Sequence, residues 1–140
     1  MRCVIQRVQR ACVTVGGQTV SSIDKGLCVL VGISASDTPD DRAWTIKKLT
    51  SLRLWPQIVG EDGSSKEWSA SVSDLGLPIL IVSQFTLLAR TNKGRKPDFS
   101  RAMSSRDGLA ESFFEEFANE LREAHGSDRV LLGKFGAMMQ

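Results

Sequence analysis

Three polar side chains interrupt an apolar run near the middle of the chain, and their types allow ligand binding or nucleophilic chemistry. Residues 79–89 read ILIVSQFTLLA, so Ser83, Gln84 and Thr86 lie among mostly aliphatic neighbours. Burying an unpaired hydroxyl or amide costs on the order of 1–3 kcal/mol, so each group needs a partner. That partner is either an adjacent strand or a ligand.

The run itself predicts a buried strand over residues 79–87. Strand alternation would place Gln84 and Thr86 on one face of a sheet, and Ser83 and Phe85 on the other. Two interpretations stay open. Either the polar groups bond neighbouring strands near the end of the sheet, or the strand ends at a pocket that receives a ligand.

A basic segment follows this run directly. Residues 90–96 read RTNKGRK and contain Arg90, Lys93, Arg95 and Lys96 with no acidic residue among them. The segment is either a solvated turn or a set of contacts to nucleic-acid phosphates. The formal net charge of +2 does not by itself indicate a nucleic-acid-binding protein.

The inventory of side chains argues against most catalytic constellations. The single histidine, His125, follows a predicted helix, where a solvated histidine is common. A Ser-His-Asp or Cys-His arrangement therefore gains no support, and a Thr86 nucleophile would lack a base. No metal-ligand spacing, phosphate-binding glycine loop or dinucleotide fingerprint is present, so we expect neither a metal nor a cofactor.

The cysteines indicate a reducing environment. Cys3, Cys12 and Cys28 form an odd set without CxxC spacing, each within a strand-like run, and we expect reduced core residues. The N-terminus lacks a signal-peptide pattern, and no 18 consecutive residues are apolar. These features predict a cytoplasmic protein that does not span a membrane.

The elements around the candidate residues start with strands. Residues 2–8 and 11–15 alternate apolar and polar positions, and Gly16-Gly17 predicts a hairpin turn after them. Residues 26–34 are almost wholly apolar and predict a central strand. The segment from 56 to 76 predicts a loop with one short hairpin, whose tip lies at Glu61 to Ser65.

Helical periodicity predicts two long helices. The first begins at Asp37 or Thr38, with Pro39 in its first turn, and the second ends at Gly126. The expected buried faces are Ala43, Ile46, Leu49 and Leu52 in the first helix, and Leu109, Phe113, Phe117 and Leu121 in the second. Residues 128–140 predict a strand, a bend at Gly133–Gly136 and the start of another strand. The 140-residue chain is thus expected to form one α+β domain with a largely antiparallel or mixed sheet.

Motifs along the whole chain resemble the D-aminoacyl-tRNA deacylases. They are SQFTL at 83–87, MRCVIQRVQRACVTV at 1–15, KPDF at 96–99 and GKFGAMMQ at 133–140. The resemblance implies a barrel-like core with the two helices packed on it, and a cytoplasmic homodimer. It also implies hydrolysis of the ester that joins a D-amino acid, or glycine, to tRNA during translation quality control.

The same resemblance implies roles for individual residues. The ester and its ribose would contact Ser83, Gln84, Phe85 and Thr86, of which the last three are the catalytic candidates. A second wall would consist of Phe135, Gly136, Ala137, Met138 and Met139, with Phe135 able to stack on adenine. Arg7 would hold a chirality-selecting motif in place.

The mechanism that the family implies is assisted by the substrate. The ribose 2′-hydroxyl would help to activate water, and backbone amides around Phe85 and Thr86 would stabilise the oxyanion. This agrees with the lack of a base for Thr86 in the inventory.

One departure concerns the chirality motif, an NxGPVT-like segment with a glycine and a cis-proline that the partner subunit inserts. The four prolines, Pro39, Pro56, Pro78 and Pro97, all lie elsewhere, and residue 140 precedes the expected motif. We therefore expect a C-terminal segment beyond Gln140; the alternative is a divergent family member that lacks the motif. The competing hypotheses are a non-catalytic nucleic-acid- or protein-binding dimer and a general Ser or Thr esterase.

Overall fold

The computed structural model describes residues 1–59, 63–92 and 94–140. Its elements follow one another as β1 (Arg2–Val8), β2 (Ala11–Val15), β3 (Gln18–Ile23), β4 (Gly26–Gly32), α1 (Pro39–Ser51), β5 (Arg53–Ile58), β6 (Ser65–Ser71), β7 (Ile79–Ser83), a 3₁₀ turn (Phe85–Leu88), α2 (Leu109–His125) and β8 (Val130–Leu132). The prediction of an α+β domain with two helices and a mixed sheet is confirmed.

The main sheet has the strand order β1-β4-β7-β8. Strand β4 pairs antiparallel with β1 and parallel with β7, and β7 pairs parallel with β8. The prediction that β4 is central is confirmed. Its near-continuous apolar sequence fits this place, because a strand between two neighbours is covered on both faces.

Two hairpins complete the described strands. Strands β2 and β3 pair around Gly16 and Gly17, whose φ angles of 58° and 81° are left-handed and suit glycine in a tight hairpin turn. Strands β5 and β6 form the second hairpin, which is longer than predicted, and Glu61 at its expected tip lies outside the described residues. The described strands do not close into the expected barrel, because β1 and β8 are the two edges of the main sheet.

The main sheet has a core on each face. On one face, Val29 and Ile81 pack with the apolar residues of α1, α2, β5 and β6. On the other, Leu80 and Val82 pack against the β2-β3 hairpin. The sheet is therefore the middle layer between the helices and the hairpin, which explains why β7 is apolar at every position before Ser83.

Helix α1 begins as predicted, but its buried face is rotated. The Thr38 amide and hydroxyl both donate to Asp41 Oδ2, at 2.8 and 2.9 Å, and Pro39 is the first helical residue. The buried residues are Arg42, Thr45, Ile46 and Leu49, whereas Ala43 and Leu52 are exposed. The prediction was wrong at Ala43 and Leu52 because the helix buries an arginine, which hydropathy assigns to the surface.

Helix α2 ends at Gly126 as predicted, and its apolar face is also offset. Leu109 is exposed and Phe113 is half-buried, while the buried phenylalanines are Phe114 and Phe117. The cysteine prediction holds in part: Cys3 and Cys28 are half-buried and all three thiols are free, but Cys12 is exposed.

The end of the chain lies against strand β2. After β8 and a turn over residues 135–136, Gln140 exchanges two backbone hydrogen bonds with Thr14, at 2.8 and 3.0 Å. The structure assigns no strand to the described residues after β8, so the predicted start of another strand is present only as this one backbone pair. Within the described ranges, neither helix is long and apolar enough to cross a membrane.

Candidate functional site

Strand β7 ends at Ser83, earlier than predicted. Gln84 leaves the sheet, and its amide donates to the Val31 carbonyl at 2.8 Å before the chain enters the 3₁₀ turn at Phe85. The strand prediction over 84–87 was wrong, and so was the assignment of Gln84, Phe85 and Thr86 to alternating faces. A 3₁₀ turn has three residues per turn, so strand alternation stops at Ser83.

A glycine explains how the turn packs so closely on β4. A Cβ added to Gly32 would lie 3.0 Å from Leu88 Cδ2 and 3.1 Å from both the Gln84 carbonyl oxygen and Leu87 Cβ. No larger residue fits at this position without displacing the turn. The apolar run is thus interrupted where β4 offers a gap, a tertiary effect that the sequence of residues 79–89 does not contain.

The turn borders a cavity of about 960 Å³, here called the main cavity. Residues 83–85 form one part of its wall and residues 135–139 form another. The two segments are about 50 positions apart in the chain, and they meet because β8 pairs with β7 in parallel register. The structure therefore brings together eight of the nine residues assigned to the substrate walls.

Thr86 is the exception, because it does not line the main cavity. Its hydroxyl is half-buried and accepts a hydrogen bond from Gln84 Nε2. Two of the three polar groups that interrupt the apolar run therefore satisfy each other. This arrangement makes Thr86 a fixed part of the turn rather than a free hydroxyl directed at a ligand.

The first backbone N–H groups of the 3₁₀ turn have no hydrogen-bond acceptor within the turn. Leu87 N–H is the first donor to an intrahelical acceptor, the Gln84 carbonyl, at 3.3 Å. The amides of Phe85 and Thr86 precede it and have no intrahelical acceptor, as at any helix start. Two successive N–H groups of this kind can stabilise a developing oxyanion.

Aromatic contacts hold both walls. The Phe85 ring is 57% exposed and meets Phe99 edge to face, with centroids 5.2 Å apart. Phe135 packs against Phe114 of α2 at 5.6 Å. The segment from Phe99 to Arg106 supplies a further part of the wall that sequence reasoning missed, although KPDF at 96–99 was the signal for it.

The cavity wall is poor in titratable groups. Among its described residues these groups are Cys12, Cys28 and Arg106, without a carboxylate, histidine or lysine. Burial raises the pKa of the Cys28 thiol, which keeps it protonated at neutral pH. The wall therefore offers no group suited to act as a general base.

His125 is buried elsewhere, contrary to the expectation of a solvated residue. Its Nε2 lies 2.8 Å from the Leu77 carbonyl and its Nδ1 lies 3.1 Å from Ser73 Oγ. These contacts fix the end of α2 against the segment between β6 and β7. Both ring nitrogens are occupied by structural hydrogen bonds.

Comparison with known proteins identifies the family. The model of the family described as D-Tyr-tRNA(Tyr) deacylase matches residues 4–140. The chain belongs to this family. The matched range includes both walls of the main cavity.

Relatives of this deacylase-family chain span its full length. The D-aminoacyl-tRNA deacylase of Drosophila melanogaster is 49% identical over 140 residues, which are 100% of this chain and 83% of that protein. D-aminoacyl-tRNA deacylase 1 of Bos taurus is 47% identical over 140 residues, 100% of this chain. The chain spans 63% of the length of the bovine relative.

Two solved structures extend the comparison. One, titled c-Myc DNA Unwinding Element Binding Protein, is 45% identical with a TM-score of 0.89, and the match covers 100% of this chain and 89% of the other. The other, titled as a probable eukaryotic D-amino acid tRNA deacylase, is 17% identical with a TM-score of 0.79 and covers 99% and 90%. The second likeness shows the shared fold.

The other described residues predicted for the site of this deacylase-family chain, apart from Thr86, lie outside the main cavity as well. Arg7 donates from Nη1 to the Leu54 carbonyl at 2.7 Å, and its guanidinium lies 6.0 Å from the Trp68 ring centroid. In the basic segment, Arg95 and Lys96 are exposed, and Lys93 lies outside the described residues. Arg90 is half-buried and pairs with Asp98 through the backbone.

Proposed function

We propose that this chain hydrolyses the ester of D-aminoacyl-tRNA, and of glycyl-tRNA, to give free tRNA and the amino acid. The observation that carries the proposal is the main cavity, which joins residues 83–85 to residues 135–139 in a member of a deacylase family. Its volume of about 960 Å³ is at the upper end of what small-ligand sites occupy. It can hold a terminal adenosine together with an aminoacyl group.

The proposed chemistry follows from two features of the cavity wall, which has no general base among its described residues and has backbone amides at the 3₁₀ turn. Without a protein base, water is activated by the ribose 2′-hydroxyl beside the ester. The amides of Phe85 and Thr86 stabilise the oxyanion that forms on the ester carbonyl, and Gln84 fixes the turn through its bond to Thr86. The bond between the carbonyl carbon and the 3′-oxygen then breaks. The proton that the attacking water loses passes through the 2′-hydroxyl to the 3′-oxygen, and the amino acid leaves with the oxygen of the water in its carboxyl group.

The wall at residues 135–139 binds the substrate. Phe135 is held in place by Phe114 and faces the cavity, where it is a stacking surface for the adenine. Gly136 to Met139 form the adjoining backbone, and Met138 is 95% exposed, free to fold over a bound group. Ser83 belongs to the wall at residues 83–85, which receives the ester.

We also propose the wider setting that the family implies. Residues 1–140 act as one deacylase domain in a cytoplasmic homodimer, and Arg7 supports the chirality-selecting motif of the partner subunit. Light scattering coupled to gel filtration tests the dimer. A mass of one chain at micromolar concentration would contradict it.

The experiment for the reaction compares three substrates. D-tyrosyl-tRNA should be hydrolysed and L-tyrosyl-tRNA should not. D-tyrosyl-tRNA ending in 2′-deoxyadenosine should react at least about 100-fold more slowly, because the 2′-hydroxyl that activates water is missing. Release of labelled tyrosine gives the rates. Equal rates with the ribose and deoxyribose ends would contradict substrate assistance while leaving deacylation intact.

A second candidate is a nucleic-acid-binding dimer without catalysis. The observation in its favour is the 45% identical structure whose title names a DNA-unwinding-element-binding protein. Binding of tRNA or duplex DNA without release of the amino acid from any of the three esters would favour this function. Release from the D-ester alone favours the enzyme. Hydrolysis of simple esters without RNA would instead indicate a general esterase.

A further inference from the structure

A second concavity lies beside the same 3₁₀ turn, and its lining is strongly basic. It measures about 140 Å³, and its walls contain Arg2, Arg90 and Arg101 together with Met1, Ser34 and residues 88–89. The three arginines come from three distant parts of the chain. We call this feature the arginine pocket.

The three arginines are held in place by the backbone around them. Arg2 donates from Nη1 to the Leu87 carbonyl at 2.5 Å, which ties strand β1 to the turn. Arg90 and Asp98 exchange two backbone hydrogen bonds, at 2.8 and 3.0 Å. The Arg101 carbonyl accepts a hydrogen bond from Ala35 N–H at 2.9 Å. The pocket is thus built on ordered backbone rather than on a free loop.

The ion pairs among the described residues leave the side chains of the three arginines without a carboxylate partner. Asp37 already accepts from the Met1 ammonium group and from Ser34 N–H. In the part of the chain that the structure describes, no ion pair involves the guanidinium group of Arg90 or Arg101. Gathering three like charges is unfavourable unless an anion joins them.

We propose that the arginine pocket binds a backbone phosphate of the RNA whose 3′ end occupies the main cavity. Phosphate oxygens match the forked N–H donors of arginine, and a concave site admits a single phosphodiester. The two concavities border the same turn, with residues 83–85 on one and residues 88–90 on the other. The pocket therefore positions the strand while the main cavity holds the reacting end, an inference that rests on the proposed function.

The test uses Arg90→Gln and Arg101→Gln, and leaves Arg2 unchanged because it also supports the turn. Arg10→Gln is the matched control, since this arginine is exposed and outside both concavities. Each protein is assayed on D-tyrosyl-tRNA and on D-tyrosyl-adenosine, which carries no phosphate. Binding of uncharged tRNA is measured between 50 and 200 mM salt, where phosphate contacts dominate affinity. On single strands, each phosphate contact contributes about 0.7 to the slope of the logarithm of the binding constant against the logarithm of salt concentration.

The expected result is a rise in KM of about fivefold per arginine for the tRNA ester, and a flatter salt slope by about 0.7. Hydrolysis of D-tyrosyl-adenosine should match the wild type, and Arg10→Gln should match it throughout. An equal loss on both esters would assign the arginines to the fold and overturn the proposal. An unchanged salt slope of tRNA binding would also overturn the proposal. This holds even if inorganic phosphate alone raised the melting temperature of the protein.

The same measurements separate this inference from the proposed function. If the wild-type protein hydrolyses neither ester, the deacylase function fails, and the salt slope of tRNA binding still tests the pocket. A flatter slope in both arginine variants then supports a phosphate site in a binding module. An unchanged slope rejects the pocket in either case.

Discussion

At the scale of single residues, polar side chains of the site already bond each other. Gln84 donates to Thr86, so the threonine hydroxyl is engaged within the turn and does not line the main cavity. The groups of the turn that remain without an intrahelical partner are the backbone amides of Phe85, which lines the main cavity, and of Thr86, which follows it in the chain. Catalysis at this site should therefore depend on the shape of the turn more than on a particular hydroxyl.

Replacing Thr86 with alanine tests this point. We expect kcat for D-tyrosyl-tRNA to fall by about 5- to 30-fold, because one supporting hydrogen bond of about 1–2 kcal/mol is lost while the amides remain. Thr86→Ser, which keeps the hydroxyl, is the matched control and should retain most of the rate. Loss of all activity in Thr86→Ala, with tRNA binding intact, would indicate a covalent role for the threonine.

The cysteines differ in reactivity for physical reasons. Burial is the main reason that the pKa of the Cys3 thiol is raised to about 11. At pH 8, only about one Cys3 side chain in a thousand is therefore a thiolate. Cys12 is exposed and lines the main cavity. Iodoacetamide at pH 8 should therefore label Cys12 first and leave Cys3 unmodified until the protein unfolds.

Peptide mass spectrometry measures this order, and deacylation measured in parallel should fall as Cys12 becomes labelled. Cys12→Ser should keep its activity through the same treatment. If that variant is inactivated as fast as the wild type, the effect does not come from the cavity wall.

At the scale of elements, β4 decides where the turn can lie. The lack of a side chain at Gly32 lets Gln84 and Leu88 approach the strand. Such close packing of a turn on a central strand transmits a small displacement directly to the cavity wall.

Gly32→Ala should displace the turn. The added Cβ meets atoms at 3.0–3.1 Å, so we expect a loss of stability of roughly 1–3 kcal/mol and a larger fractional loss of kcat. Val29→Ala, a core change on the helix side of the same strand, is the control for stability alone. If both variants lose kcat in proportion to stability, Gly32 has no special role in the site.

Helices α1 and α2 are joined through Arg42. Its buried guanidinium contacts Glu116 at 2.5 Å and Glu120 at 2.8 Å and lies 4.6 Å from the Phe113 ring centroid. These contacts explain how an arginine takes part in the buried face of α1. The hydrogen bond to Glu120 is the main reason that the pKa of the Arg42 guanidinium is raised.

Arg42→Met should lower the free energy of unfolding by roughly 1–3 kcal/mol, because two neighbouring carboxylates lose their shared cation. Glu116→Gln should cost less than about 1 kcal/mol, since that carboxylate is 55% exposed. Urea denaturation followed by circular dichroism gives both values. A larger effect of Glu116→Gln than of Arg42→Met would contradict the central role of the arginine.

At the scale of the whole molecule, two local carboxylate contacts contribute to the expected pH dependence of stability. Hydrogen bonds from Thr38, first from its backbone, lower the pKa of Asp41, and hydrogen bonds from Ser71 do the same for Asp74. A carboxylate with a lowered pKa in the folded state stabilises the fold above its unfolded value, near 3.8. That contribution is lost as pH falls through the lower, folded pKa.

The melting temperature should therefore decrease as the pH falls below about 4. Asp41→Asn combined with Asp74→Asn should melt lower at pH 7 and show a shallower decrease, whereas Asp24→Asn, at an exposed position, should behave as the wild type. Differential scanning calorimetry between pH 3 and 7 measures the curves. Parallel curves for the wild type and the double variant would contradict the assignment.

The sequence by itself determined part of the element order and pointed to the candidate site. Alternation, capping residues and glycines located β1, β2, the start of α1, the end of α2 and the central place of β4, because these depend on neighbouring residues and on simple periodicity. The resemblance indicated two walls, at 83–86 and 135–139, and the structure places eight of these nine residues around one cavity.

Only the tertiary structure decided where the apolar run stops being a strand. Gly32 lies about 50 positions before Gln84, and the space it leaves on β4 lets the chain turn after Ser83. The same long-range packing buried Arg42 and His125, which found partners on other elements. It also gathered Arg2, Arg90 and Arg101 into one pocket. Such contacts join residues far apart in the chain, so no local pattern of apolar and polar residues encodes them.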